Sequence, residues 1–152
     1  MTPEERLTER GMELPAPPTP IANYVPAVRV GNLVFLSGHG PNRQNGPQWQ
    51  GKVGQELDVE QARTAAESVM VNLLASLKAE IGELSSVRRV VKLLGMVNSA
   101  PDFGAQPQVI NGASDLLVDL FGDRGRHARS AVGMVALPGN IPVEIEMIVE
   151  VE

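Results

Sequence analysis

Arg129 stands where an apolar strand begins in "HARSAVGMVALPGNIPVEIEMIVEVE", and Glu144 and Glu146 return after the turn. A guanidinium presents a planar fork of N–H donors that suits a carboxylate or a phosphate. A carboxylate close to it could hold or deprotonate a water. The plainer reading of Arg129 is an edge-strand charge that blocks unwanted pairing. Glu144 alternates with Ile145, so it also reads as a solvent-facing side chain. Ser37 carries a hydroxyl that could bond a ligand or a turn backbone, and Tyr24 one that could do the same or pack with its hydroxyl satisfied. The two imidazoles are His39 and His127. His39 reads as a loop or pocket-wall residue, and His127 as an interface residue whose charge could tune a pocket near neutral pH. Spacing alone leaves these choices open.

Composition narrows the classes. A chain of 152 residues is one domain's worth, and 43% hydrophobic content is that of a folded protein rather than a disordered one. The absence of cysteine excludes disulfides and thiolate chemistry. Two histidines do not close a usual zinc site, so no metal is expected. A net charge of −5 and 3% aromatics argue against nucleic acid, which needs clustered cations and stacking platforms. The start, "MTPEERLTERG", has no apolar signal region, and no apolar run reaches a membrane-spanning length. The expected location is the cytoplasm, with no membrane partner.

The elements that would position these residues can be read from period and punctuation. Residues 1–22 give a short helix ended by Gly11 and then "PAPPTPIAN", an extended proline-rich arm that wraps a surface or a neighbouring subunit, or hangs free as a tail. Residues 23–152 form the domain proper. "YVPAVRV-GN-LVFLSG" reads as a hairpin about Gly31-Asn32. A polar loop holding Trp49 follows. Asp58 and Gln61 make a capping box for a helix of about six turns, with Met70 as a gap-filler on its apolar face and Gly82 as its stop. "VRRVVKLLGMV" reads as a strand covered on both faces. A second helix starts near Pro107, buries Ile110, Ala113, Leu117 and Leu120, and ends at Gly122. Two final strands about the Pro-Gly turn are expected to pair antiparallel, with Val143, Ile145, Met147, Val149 and Val151 on one face. The order β-β-α-β-α-β-β predicts an α+β fold with an antiparallel or mixed sheet and two helices on one face. No phosphate loop, Rossmann glycine pattern, nucleophile elbow or HExxH motif occurs.

At "NYVPAVRVGNLVFLSGHGP" and "ARSAVGMVALPGNIPVEIEMI" the chain resembles the Rid, or YjgF-like, family of enamine/imine deaminases. The family's strings there run approximately "PYSQAVRVGNLVFVSGQIP" and "PARSxVxVxxLPxxxxVEIEAIA". The resemblance covers roughly residues 22–152. It implies a chorismate-mutase-like fold, a homotrimer with a central β-barrel, and small-molecule sites in the clefts between subunits. It implies no cofactor. Carried over residue by residue, it makes Arg129 the clamp on a substrate carboxylate and Glu144 the holder or activator of the attacking water. Tyr24, Ser37 and Asn111 become substrate-binding or pocket-shaping residues. The chain departs from the pattern at "NYVP", at His39 in place of glutamine and at Ala131 in place of a common cysteine.

The function the resemblance implies is hydrolysis of 2-aminoacrylate-type enamines and imines to 2-oxo acids and ammonia. The competing reading keeps the same cleft without catalysis, as a protein that captures small carboxylates such as 2-oxo acids. A ribonuclease or translation-inhibitor role, also associated with the family, is disfavoured by the charge and aromatic content. Between Glu144 and Glu146 strand parity makes no choice, and the expected pairing of the last two strands would bring Glu146 nearer Arg129.

Overall fold

Most element boundaries fall where the punctuation residues put them. The computed structural model describes residues 1–152 apart from Pro18, Pro20 and Ile21, so part of the expected proline arm lies outside the described residues. Thr2 and Glu5 form a capping box that starts α1 (Pro3–Glu9), and Gly11, at φ 72°, turns the chain out of it. This helix is tied to the body. Leu7 is buried in the core, and Glu4 accepts from Lys78 Nζ at 2.9 Å and from the Leu84 amide at 3.0 Å.

β1 (Ala27–Val30) and β2 (Leu33–His39) form the expected hairpin. α2 (Val59–Ile81) opens at the Asp58–Gln61 capping box and closes at Gly82. β3 (Val87–Asn98), α3 (Gln106–Phe121), β4 (Ala128–Met134) and β5 (Val143–Val151) complete the predicted order. Both long helices pack on one face of a five-stranded mixed sheet, as an α+β fold requires. Ile110, Ala113, Leu117, Leu120 and Met70 are all buried on the helix faces expected of them. Each fully buried leucine contributes on the order of 1.5–3 kcal/mol, so this layer carries most of the stability. Gly95 lets α3 sit directly on β3, since a Cβ there would lie 2.6 Å from Ile110.

The strand order β1-β2-β5-β3-β4 corrects one expectation. β4 and β5 do not pair with each other, because β3 lies between them. β3 pairs parallel with β4 and antiparallel with β5. The reason is the helix: β3, α3 and β4 form a β-α-β unit, and a helical crossover returns the chain parallel to the strand it left. The link from β4 to β5 must then cross the end of β3. Asn98, fully buried, holds it there. Its Nδ2 donates to Asn140 Oδ1 at 2.9 Å and to the Ile141 carbonyl at 3.1 Å, while its Oδ1 accepts from Lys52 Nζ at 2.8 Å.

β3 itself was expected to be covered on both faces. Within one chain it is covered on one: Val90, Leu93 and Val97 are buried, whereas Val91 is exposed and Lys92, Leu94 and Met96 are half-buried. Both crossover helices lie on the same side, so the other side of the sheet has no layer of its own. Among the described residues no helix is long and apolar enough to cross a membrane, and no group of three metal-ligating side chains gathers.

Asn98→Ala removes the two hydrogen bonds that Asn98 Nδ2 donates to the β4–β5 link and leaves Lys52 Nζ with the Val135 carbonyl alone, so it should cost about 2 kcal/mol. Urea denaturation checks this; a loss below about 0.5 kcal/mol would mean that the link is held by other bonds.

Candidate functional site

Strand register decides which site residues can meet. Arg129 is level with Leu93, which pairs Met147, so all three side chains share the helix-covered face. Glu144 is level with Met96, which pairs Val132, on the open face. The two levels differ by three residues along β3, about 10 Å, and β4 and β5 stand two strand spacings apart, again about 10 Å. One chain therefore holds Arg129 and Glu144 apart and on opposite faces of the sheet.

On the helix face, Arg129 reaches over the sheet edge to α3. Its Nη1 donates to Ser114 Oγ at 3.0 Å and its Nη2 to the Pro107 carbonyl at 3.4 Å. Pro107, Asn111 and Ser114 recur at helical spacing, so Asn111 lies on the stripe between the two anchors. His127 completes the group. Its Nδ1 lies 2.6 Å from the Gly125 carbonyl, which can only accept, so Nδ1 carries the proton. Nε2 then accepts from Ser114 Oγ at 2.9 Å. The serine hydroxyl thus donates to a neutral histidine and accepts from the arginine. Two anchors leave three of the five guanidinium N–H groups without a partner among the described residues.

On the open face, Glu144 lies against the bulge between Leu36 and His39. A Cβ at Gly38 would sit 2.2 Å from Glu144 Oε2, so the glycine is what admits the carboxylate. Burial raises the Glu144 pKa above the usual carboxylate value, and Glu146 beside it raises it further. Arg129, on the other face, plays no part in that shift. Ser37, next to Gly38, donates to the Val25 carbonyl at 2.7 Å, which is the backbone tie its alternative reading describes. Its oxygen keeps a lone pair free. Tyr24 is exposed rather than packed in the core. Tyr24, Ser37 and Gly38 line a cavity of about 780 Å³ between the β2–α2 loop and the N-terminal arm.

The structure thus groups Arg129 with Asn111 and groups Glu144 with Ser37 and Tyr24, and it does not join the groups within one chain. Sequence reasoning overlooked Ser114 and a polar ladder on α2. Ser68, Asn72 and Ser76 recur every four residues in "ESVMVNLLASLKAE", on a helix whose other inward residues are apolar. That interruption was a readable signal. Asn72 Nδ2 donates to the Gly40 carbonyl at 2.9 Å, and Ser76 Oγ meets His39 Nε2 at 2.8 Å. His39 is buried beside the cavity it was expected to wall, its Nδ1 donating to the Ser37 carbonyl at 2.6 Å.

Both histidines are therefore held neutral. Burial lowers the pKa of each; their carbonyl partners push the other way, and Arg129 lowers His127 further. An unfolded histidine takes a proton near pH 6.5, whereas these take one only at lower pH, so the unfolded chain binds more protons in between. The stabilisation is complete above about pH 6.5 and is lost as pH falls through the folded values. Glu144, with a raised pKa, acts in the opposite sense, so the histidine variants carry the test. Denaturation midpoints should fall from pH 7 to pH 5, by up to about 1.4 kcal/mol per pH unit for each histidine. His39→Gln and His127→Gln should each flatten the slope, and unchanged slopes would remove the neutral-histidine assignment.

Similarity to known proteins places the chain in a family. Residues 4–150 match the family described as "YjgF/chorismate mutase-like, putative endoribonuclease". The chain is 41% identical over 145 residues to protein TCP17 of Trypanosoma cruzi, covering 95% of this chain and 91% of that one. It is 32% identical over 145 residues to a 2-iminobutanoate/2-iminopropanoate deaminase of Dermatophagoides farinae, covering 95% and 98%. The crystal structure of protein Atu1372 from Agrobacterium tumefaciens superposes with a TM-score of 0.91 at 48% identity, covering 99% of this chain and 92% of that one. With its α+β order, its strings around Tyr24 and Arg129 and these matches along nearly its whole length, the chain belongs to the YjgF-like (Rid) family and has its chorismate-mutase-like fold.

Proposed function

We propose that this protein is a hydrolytic deaminase of small 2-imino and 2-enamino acids, acting in a cleft between two copies of the chain. The observation that carries the reading is the opposition of Arg129 and Glu144 across one sheet. A site that uses both must take Arg129 and Asn111 from one copy and Glu144, Ser37 and Tyr24 from another. The 32% identical relative named as an imine deaminase supports the reaction class. The open sheet face supports self-association: Val28, Val30, Phe35 and Val132 are exposed there, with Val30 at 63% and Phe35 at 42%. A soluble chain seldom leaves such a face bare. Three copies whose sheets close into a barrel would cover it and remove both sheet edges.

In this reading Arg129, anchored from behind by Ser114 and Pro107, turns its free N–H groups to the substrate carboxylate. That fixes the adjacent C=N carbon beside a water held by Glu144. Glu144, made more basic by burial and by Glu146, takes a proton from the water as its oxygen attacks the carbon. Glu144 returns that proton to the nitrogen, giving a carbinolamine; its hydroxyl proton then passes to the nitrogen as the C–N bond breaks, so ammonia leaves and a 2-oxo acid remains. Because β3 separates β4 from β5, no strand pairing brings Glu146 toward Arg129, and Glu144 is the glutamate that lies against Gly38.

Light scattering should give about three times the 16.3 kDa chain mass; a monomer at micromolar concentration would remove the shared cleft. Ammonia release from enzymatically generated 2-iminobutanoate should fall at least about tenfold in Arg129→Lys and in Glu144→Gln, with folding retained. Glu146→Gln should do much less. Mixed by co-refolding in equal amounts, Arg129→Ala and Glu144→Gln chains should regain about a quarter of wild-type activity, the share of interfaces that receive one intact residue from each. Mixed trimers that regain none would end the two-chain site.

A further inference from the structure

Arg43 is the feature of the cavity that the reading above does not use. It lies in the polar loop after β2, and its guanidinium turns back onto α2. Nε donates to Asn72 Oδ1 at 2.9 Å, and Nη2 donates to Ser68 Oγ at 2.8 Å and to the Ser68 carbonyl at 3.3 Å. All these acceptors are neutral. Nη1 has no partner among the described residues, and Arg43 lines the cavity of about 780 Å³ together with Tyr24, Ser37 and His39.

Four of the chain's 13 cationic side chains, Arg10, Arg63, Lys78 and Arg126, have a carboxylate within ion-pair distance. Among the described residues Arg43 has none. Burial also lowers its pKa, a sign that its charge is partly stripped of water without compensation. The neighbouring imidazole, His39, adds no negative charge, and burial keeps it neutral against the pull of the Ser37 carbonyl. Glu13, on the arm side, is the one carboxylate among the lining residues, and it makes no ion pair with Arg43. A cation that only fixed a loop would be satisfied by its three anchors; this one keeps a free nitrogen at a cavity.

The cavity has the volume of a small-molecule site, well beyond what a three- or four-carbon acid fills. We propose that Arg43 binds a second carboxylate of the substrate, so that this cleft takes imino or oxo dicarboxylic acids in preference to monocarboxylic ones. The inference rests on the intersubunit site proposed above, in which Arg129 holds the carboxylate next to the reacting carbon and Tyr24 and Ser37 form the shared wall. Asn72 and Ser68 hold the guanidinium in place in advance, so a ligand carboxylate gains a charge-assisted bond without ordering a flexible side chain.

Isothermal titration of the full chain with 2-oxobutanoate and 2-oxoglutarate tests this. The dicarboxylate should bind wild type at least about tenfold more tightly. Arg43→Gln should reduce that preference to within about threefold, Arg43→Lys should keep part of it, and Arg63→Gln, altering a surface ion pair with Asp115, should keep all of it. Circular dichroism melts confirm that each variant is folded; if Arg43→Gln is not, the comparison of Arg43→Lys with Arg63→Gln decides, and equal preference in the two overturns the proposal. A wild type with no preference, or no measurable binding of either acid, overturns it, as does a folded Arg43→Gln that keeps the preference. Absence of ammonia release from any imine would instead end the deaminase reading, and the ratio of the two affinities would still report on Arg43.

Discussion

The position of β3 between β4 and β5 is the constraint from which the functional geometry follows. A strand, a helix and a second strand in succession close as a parallel pair, because the helix carries the chain back to its starting end. Once β4 is parallel to β3, β5 must take β3's other side, next to β2. Side chains alternate at every step, so register assigns Arg129 to the helix side and Glu144 to the open side. No rotamer change reverses that assignment. Chemistry that needs an arginine and a glutamate together must recruit the second group from another copy. The same topology leaves the open face without a helical layer, and so supplies the apolar surface on which a second copy can sit.

A second constraint is the need to satisfy polar groups inside α2. Ser68, Asn72 and Ser76 face the layer where the rest of the helix is apolar, and each has a partner at the end of β2 or in the segment that follows it. Buried polar atoms left unpaired are costly, so these three contacts fix one path for residues 37–43. That path puts Gly38 beneath Glu144 and Arg43 at the cavity wall. His39, where the family pattern has glutamine, fits because a neutral imidazole donates at one nitrogen and accepts at the other. His127 uses the same device at the other group, with Ser114 in the place of Ser76. Each histidine thereby holds a loop on a helix without adding charge beside the arginine it accompanies.

The sequence by itself determined the local elements and the family. Capping residues, glycine stops and the 3.6- and 2-residue periods are short-range signals, and they placed both long helices, the hairpin, the buried face of β5 and Met70 correctly. The strings around Tyr24 and Arg129 sufficed for the family and for the residues worth watching. What the sequence did not determine was adjacency between distant elements. A Pro-Gly turn between two strands reads locally as a hairpin, and only the β-α-β closure over α3 shows that β3 takes the place between them. Burial of β3 was misread for a related reason: an apolar run does not show how many of a strand's faces its own chain covers. Arg43 was invisible for a third reason, since its loop has no periodicity and its partners lie 25 and 29 residues away on α2. Pairing order, face assignment and the partners of an isolated charge are set by long-range packing, and only the tertiary structure decides them.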